Sequence, residues 1–539
     1  MRYTLAVILM VVGVVVGGLG ILQKTLWAPD DQITATTEID AETPAVVVDP
    51  GMLNLYETPA TLNVEGSGDL TIAQAPIENV EAWAGNSAFT RVTGLAPEGG
   101  LSVKSQDGEA SMPSPAGADL WTSEVTGNDS VTLDWTEDAN RTGFLIAGSG
   151  EPGDVKTVTI TWPNHAETPW AIPLMIIGGA LFIGGIVVLV FNRNSAKKEK
   201  NRRTARQERR RKLAEFGTAF AIVPVLALSA CGPDELPKPE PSEAPSSAAA
   251  GVNDDQAKRI LDSVTEDVKA ADKGTDSSEL KKRATGPALK QREDAYKVKK
   301  KVKKHKLPPA VANEKVVVNY TAATDSWPRM TSLVTSAVNE TQLLVLTQED
   351  PRADYKLWSQ TQLVPGTELP EIPDARQGSQ LLDPKTKDFV MTPENVVSGY
   401  AKALDSGEKS KEAKKFESDD FSKSIWKNQQ AQKKSAEDGK AEVKYKYTPG
   451  KEIVAQGTAG DAAIVTGVIE AESTISPESV DGRTGTLTLS SPQKELTGSD
   501  STQKSVTTKT TQVLTFLVPT DGKVRLIGGL ETLSGAELK

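Results

Sequence analysis

Three uninterrupted apolar stretches divide the chain. Residues 5–22 and 170–191 each approach the ~20 apolar residues that a helix needs to cross a bilayer. The third, residues 216–228, is shorter and leads straight into Leu228-Ser229-Ala230-Cys231. Between the first two, short runs of β-formers recur at 45–48, 61–64, 70–73, 130–135 and 155–162. The segment 154–162 shows partial period-2 alternation, and Gly66-Ser67-Gly68-Asp69 and Glu151-Pro152-Gly153-Asp154 read as turns. This pattern predicts an all-β, sandwich-like domain over residues 28–166, between two transmembrane helices at 1–27 and 167–191.

Beyond residue 252 the period changes. Ile260, Leu261, Val264, Val268 and Ala271 share one helical face, as do Val396, Val397, Tyr400, Ala401 and Leu404. Asn253 with Gln256 three residues later, and Thr392 before Pro393, read as helix starts, and Gly274 and Gly407 as stops. A second, more polar helix follows each, near 278–300 and 410–437. Strand patterns come next, at 316–320, 331–338, 341–348 and 355–363, then at 441–447, 462–471, 484–489 and 507–518. The last hairpin turns at Pro519-Thr520-Asp521-Gly522 into 523–527. Lys269-Ala270-Ala271-Asp272-Lys273-Gly274 corresponds to Lys402-Ala403-Leu404-Asp405-Ser406-Gly407, an internal repeat that divides the region into 253–390 and 391–539.

The length of 539 residues allows about three to four domains at roughly 150 residues each. Aromatic residues make up only 5%, so the cores must rest on aliphatic side chains. In such a background Trp83, Trp121, Trp135 and Trp162 are either core residues or a carbohydrate-stacking surface. One cysteine excludes an intramolecular disulfide framework and a multi-cysteine zinc site. Two histidines, His165 and His305, give a His-rich metal site or a Ser-His-Asp triad little to build on. No metal and no cofactor is expected.

The net charge of −11 is unevenly spread. The densest basic cluster, within 192–213, follows the second apolar stretch, and the positive-inside rule assigns it to the cytoplasm. Residues 28–166 then lie outside. The cluster has no interleaved aromatics, so nucleic acid is not an expected partner. Gly13 and Gly17 in the first span, and Ala180 and Gly184 in the second, have the small-xxx-small spacing that brings helices together.

Leu228, Ser229, Ala230 and Cys231 have the form of a bacterial lipobox, with an apolar segment at 214–231 and basic residues before it. This implies cleavage before Cys231 and lipid attachment to its thiol. The Pro/Ser/Ala-rich stretch 232–252 reads as a tether. Residues 232–539 are then extracytoplasmic. Lys299, Lys300, Lys301, Lys303 and Lys304 form a basic run suited to an anionic surface, or simply a solvated helix end.

Two helices followed by an antiparallel sheet, twice, with a closing hairpin, resembles tandem NTF2-like (cystatin-like, cone-shaped) domains. The resemblance implies an α+β region in which curved sheets enclose pockets. The whole arrangement resembles envelope membrane proteins of Gram-positive, actinobacterial cells that carry an internal lipoprotein signal. The expectation is a non-enzymatic, multi-pass membrane protein and lipoprotein that presents binding domains for envelope assembly or transport. Its partners would be the lipid bilayer and an envelope protein, lipid or glycan. The alternatives are an envelope hydrolase or transferase using carboxylates in an NTF2-like cavity, and a transmembrane sensor.

Overall fold

A computed structural model describes residues 2–97, 99–136, 141–164, 167–200, 236–240, 251–338, 340–371, 378–480 and 483–539. The lipobox, the third apolar segment and most of the basic loop lie outside the described residues.

The first apolar stretch forms helix α1 (Arg2–Lys24). The chain then builds an eight-stranded sheet from β1 (Gln32–Glu38), β2 (Ala45–Val48), β3 (Ala60–Pro76), β4 (Phe89–Leu95), β5 (Leu101–Gln106), β6 (Ser123–Trp135), β7 (Thr142–Ala147) and β8 (Val155–Pro163). Strand β3 organises it. Its first half pairs with β8, its second half with β7, and β6 runs along its other edge. The register shifts between Glu65 and Asp69, where the glycines of the expected turn lie inside one long strand. The sheet is thus divided into two halves that share β3 and β6, and an apolar core fills the space between them. Leu62 and Val64 of one half, Val46, Val48 and Ile146 of the other, and Trp135 and Trp162 belong to this core. The unit is not all-β. Helix α2 (Ile77–Ala84) covers the outer face of β2 and β7, and β2 pairs with β4 in parallel. Val80 and Trp83 are buried there one turn apart, a face too short to register as a helical period.

Helix α3 (Ala171–Lys200) returns antiparallel to α1. Both helices are long and apolar enough to cross a membrane, over Tyr3–Lys24 and Ala171–Arg193. Only 17% and 11% of their apolar windows is buried, so neither is the core helix of a globular unit.

The second half is mixed α/β. Helices α4 (Asp254–Gly274), α5 (Ser277–Arg283) and α6 (Gly286–Lys301) precede strands β9 (Lys315–Thr321), β10 (Arg329–Ala337), β11 (Glu340–Gln348) and β12 (Lys356–Leu363). The expected single helix near 278–300 is therefore two. Helices α7 (Pro393–Ser406) and α8 (Asp420–Asp438) precede β13 (Ala441–Gly457) and β14 (Ala462–Pro477). The expected strand at 484–489 is instead a set of short pieces: β15 (Ser479–Val480), β16 (Arg483–Thr484) and β17 (Leu487–Thr488), followed by α9 (Gln493–Thr497) and β18 (Ser501–Thr502). Strands β19 (Val506–Pro519) and β20 (Arg525–Leu538) complete the region.

Each repeat is a helix group followed by a four-stranded meander, and both meanders belong to one sheet, ordered β13-β14-β19-β20-β12-β11-β10-β9. They join through only two residue pairs, Gln362↔Gly529 and Leu363↔Gly528. A Cβ at Gly528 would lie 3.1 Å from the Gln362 carbonyl oxygen, so the close approach depends on a glycine there.

Alternation along the strands sorts the layers. Leu333, Leu344 and Leu346 face α4–α6, and Val465, Leu514 and Phe516 face α7. The opposite faces, with Val334, Leu343, Val345, Trp358, Val454 and Ile464, share one core, so the sheet is folded over on itself. Gln456 of β13 donates to the Tyr320 carbonyl of β9 at 2.9 Å, bringing the two ends of the strand order together. Thr361, Thr515 and Thr466 form a buried hydroxyl ladder across the middle, with spacings of 3.1 and 3.0 Å. The space between the meanders is therefore filled with side chains and is not an open cone.

Candidate functional site

The region richest in buried charge lies where residues 28–164 meet the first repeat. On the β-rich unit it is built by α2 and by the segment before β6. Trp83 and Trp121 pack at a tilt of 53° with centroids 4.9 Å apart, and Trp121 Nε1 donates to the Pro115 carbonyl at 2.6 Å. Next to them sits Asp119, only 5% exposed.

The opposing surface comes from one end of the first repeat: the start of α4, the end of α5, and the turns before β10 and β12. Arg283 forms a buried ion pair with the Asp119 carboxylate, and the Tyr355 backbone N–H donates to the same oxygen at 2.8 Å. Gln256, the partner of Asn253 in the α4 capping box, donates through Nε2 to the Asp119 carbonyl at 2.6 Å. Arg259 donates to the Trp121 carbonyl. Arg352 reaches the end of α2, with Nε donating to the Trp83 carbonyl at 2.8 Å and Nη2 to the Ala84 carbonyl at 2.9 Å. These are among the carbonyls that a helix C-terminus leaves unpaired, and a cation there also meets the negative end of the helix dipole. Arg329 donates to Asn79 Oδ1 at 2.8 Å, with its guanidinium 3.9 Å from the centroid of Trp327, which itself packs beside the Trp83–Trp121 cluster. Burial pushes the Asp119 carboxyl up, while Arg283 and the Tyr355 N–H pull it back. The joint is therefore aromatic at its centre and charge-paired around it, as in a specific protein–protein interface.

A second contact comes from the tether. Glu240 lies against Gly51, where a Cβ would be 3.2 Å from its backbone nitrogen, and Pro239 approaches Gly94. Pro239 also lines a surface cleft with Asp49, Glu78, Glu81, Arg91 and Arg141. Arg91 bridges Asp49 at 2.6 Å and Glu81 at 2.8 Å across it.

The helix pair uses the two glycines that the spacing suggests in the first span, but different residues in the second. Gly13 is at the contact: a Cβ there would sit 2.6 Å from the Phe182 nitrogen and 2.7 Å from the Gly178 oxygen. Gly17 is adjacent, 3.7 Å from Gly178 Cα by the same measure. Ala180 is exposed, and nothing lies within 4 Å of a Cβ at Gly184, so these two are not in the interface. The contacts instead run through Ala6, Gly13 and Gly20 against Gly185, Gly178 and Ala171. Small residues recur every seven positions on both helices, the period that keeps one seam facing an antiparallel partner. That heptad was visible in the sequence, but a four-residue template does not find it.

Trp83, Trp121, Trp135 and Trp162 are all buried, so they are core and joint residues and not a stacking surface. Trp135 donates to Asn54 Oδ1 at 2.7 Å and Trp162 to the Leu53 carbonyl at 3.0 Å. The lysine run lies at the end of α6. Lys299 donates to the His305 carbonyl at 3.2 Å and Lys301 to the Leu496 carbonyl at 3.0 Å, while Lys300, Lys303 and Lys304 are exposed. Two of the five thus hold backbone. His305 is pushed down by its burial and by Lys299. Among the described residues, no group of three or more His, Cys, Asp or Glu is arranged to hold a metal ion.

The architecture defines a class: a β-rich unit carried on two apolar helices and docked on a two-repeat α/β unit. The chain belongs to the family described as domain of unknown function DUF8094, whose model matches residues 249–537, more than half of the chain and both repeats together. No curated protein and no solved structure matches it.

Proposed function

We propose that the chain is a membrane-anchored, non-enzymatic protein of the cell envelope that presents residues 28–164 and the family domain as one rigid extracytoplasmic body. That body binds an envelope protein, lipid or glycan and assists assembly or transport. The observation that carries this reading is the joint between the two units. With α1 and α3 in a bilayer, residues 25–170 leave and return on one side, and α3 runs to Lys200 on the other. The family domain sits against the first side, through Arg283, Arg329 and Arg352. On this reading the segment 201–250 crosses back. Its apolar stretch 216–228, ending at the lipobox, is suited to that crossing.

Two further features support the reading. The outward residues of both helices, such as Leu5, Ile8, Val15, Ile176 and Ile183, are exposed apolar side chains suited to lipid. The helix-then-meander order of each repeat fits an NTF2-like pair, here with sheet faces packed on one another.

The test is extraction of the full chain from native membranes in mild detergent after crosslinking. The expected result is a defined envelope component crosslinked to the extracytoplasmic face and lost on substitution of surface residues there. A chain that crosslinks to nothing, or that fractionates without the membrane, contradicts the proposal. Metabolic labelling with a clickable fatty acid tests the lipid. Label is expected on the wild type and absent from Cys231→Ala, and an unlabelled wild type removes lipidation from the reading.

A further inference from the structure

Cleavage before Cys231 would leave two polypeptides, and the joint bears directly on what becomes of them. We infer that the two products remain a single noncovalent complex, with the outer unit serving as the dedicated receptor of the family domain. The inference rests on the lipoprotein reading above for its biological setting, and on the joint alone for its physics.

The contacts that cross between the products are of the kind that hold separate proteins together. Aromatic and arginine anchors concentrate binding energy when they are desolvated in well-packed surroundings. Here Trp327 packs beside Trp83 and Trp121, and Arg329 spans from Trp327 to Asn79. Asp119 and Arg283 are 5% and 8% exposed, so separating the products would strip a buried carboxylate of its cation and of the Tyr355 N–H together. Arg352 would leave the α2 carbonyls it now satisfies. None of these bonds is made by a residue between 200 and 251, so cutting that segment removes none of them.

The strap 236–240 adds a second hold. It begins five residues after Cys231 and lies against Gly51 and Gly94 of the outer unit. The contacts are made by Pro239 and Glu240, eight and nine residues after Cys231, so a lipid there would lie within about 30 Å of the β-rich unit. A cleaved product would then be held by its joint, its strap and its lipid at one place. Hydrolysis of the Ala230–Cys231 bond, with uptake of one water, would change the connectivity without releasing the domain.

The experiment uses the full chain with a site-specific protease sequence inserted between Ser247 and Ala248 and different tags at the two ends. The protein is purified in detergent, cut to completion and captured through the N-terminal tag. The C-terminal fragment is expected to be retained, and to remain so on dilution to low micromolar concentration. The Arg283→Asp chain is expected to release it roughly tenfold or more readily, and the exchange Asp119→Arg with Arg283→Asp to recover part of the retention. Recovery by the exchange separates a lost joint from a misfolded domain. Full separation of two fragments that each retain a cooperative thermal transition overturns the inference. This cut leaves Cys231 and the strap on the N-terminal fragment, so retention of the C-terminal fragment reads the joint alone, and the same cut made in Cys231→Ala is expected to give the same retention. An unlabelled Cys231 thus defeats only the lipid reading, and separated fragments defeat only the complex.

Discussion

Gly13 and Gly178 face each other across the helix pair so closely that a methyl group on Gly13 would stand 2.7 Å from the Gly178 carbonyl oxygen. The seam tolerates hydrogen and nothing larger. Gly178→Leu is expected to force the helices apart and to lower the melting temperature in detergent, an overpacking effect of about 1–3 kcal/mol. Gly184→Leu, where nothing lies within 4 Å, is expected to leave it unchanged. Equal effects of the two substitutions would mean that the helices meet through another face.

Arg292 is buried in the first repeat, where it binds Asp272 at 2.6 Å, Gln360 Oε1 at 2.7 Å and the Pro309 carbonyl at 2.9 Å. Tyr296 donates to the other oxygen of Asp272 at 2.6 Å. Arg292→Ala would leave the Asp272 carboxylate without its cation, and the expected cost is about 3–5 kcal/mol in chemical unfolding. Arg292→Lys is expected to recover only part of it, because one ammonium cannot replace a fork that serves three acceptors. A lysine variant as stable as the wild type would show that charge alone matters there.

Burial pushes Tyr320 and Tyr447 up to about 12. Tyr320 also donates its hydroxyl to the Pro370 carbonyl at 2.7 Å, a bond that phenolate cannot make. An unfolded tyrosine loses its proton near ~10. Between about pH 10 and 12 the folded state therefore holds protons that the unfolded state has lost, so stability falls as pH rises through that window. Below it the contribution is fully present. Urea midpoints at pH 9 and pH 11 should differ less in a Tyr320→Phe, Tyr447→Phe double variant than in the wild type. An unchanged difference would assign the alkaline loss to other groups.

Phe516 of β19 meets Tyr400 edge-on at 5.1 Å and Phe416 at 6.3 Å, in the core beneath α7. Phe516→Ala is expected to cost about 3–5 kcal/mol, since two rings lose a shared neighbour and the cavity is hemmed in by strands. Calorimetry of the full chain should show the loss. A cost below 1 kcal/mol would mean that the core closes over the gap.

Local order was legible where a short-range rule governs it. The two apolar helices followed from run length, and the start of α4 from Asn253 and Gln256, which form a reciprocal capping box. The face of α7 followed from its 3.6 period. The joint was not legible. Asn79, Trp83 and Asp119 meet Arg283, Arg329 and Arg352 across well over a hundred residues, and no periodicity relates them. The arginines that make it sit at a helix end, at the start of a strand and in a turn, where one sequence alone does not distinguish a docking residue from a solvated one. The filled space between the meanders was equally hidden, because alternation says that a strand has two buried faces but not what covers each.

The order of strands in the large sheet has a consequence for how the domain is assembled. Strand β20 follows every other strand of that sheet in the chain, yet it lies fourth in the sheet, between β19 and β12. A chain that folds as it emerges delivers β9–β12 first and then leaves the end of β12 unpaired while some 160 residues pass. Only with residues 525–538 are Gln362 and Leu363 at the end of β12 paired. Until then an exposed strand edge invites foreign pairing. The two meanders thus become one sheet only when the last strand of the chain has been made.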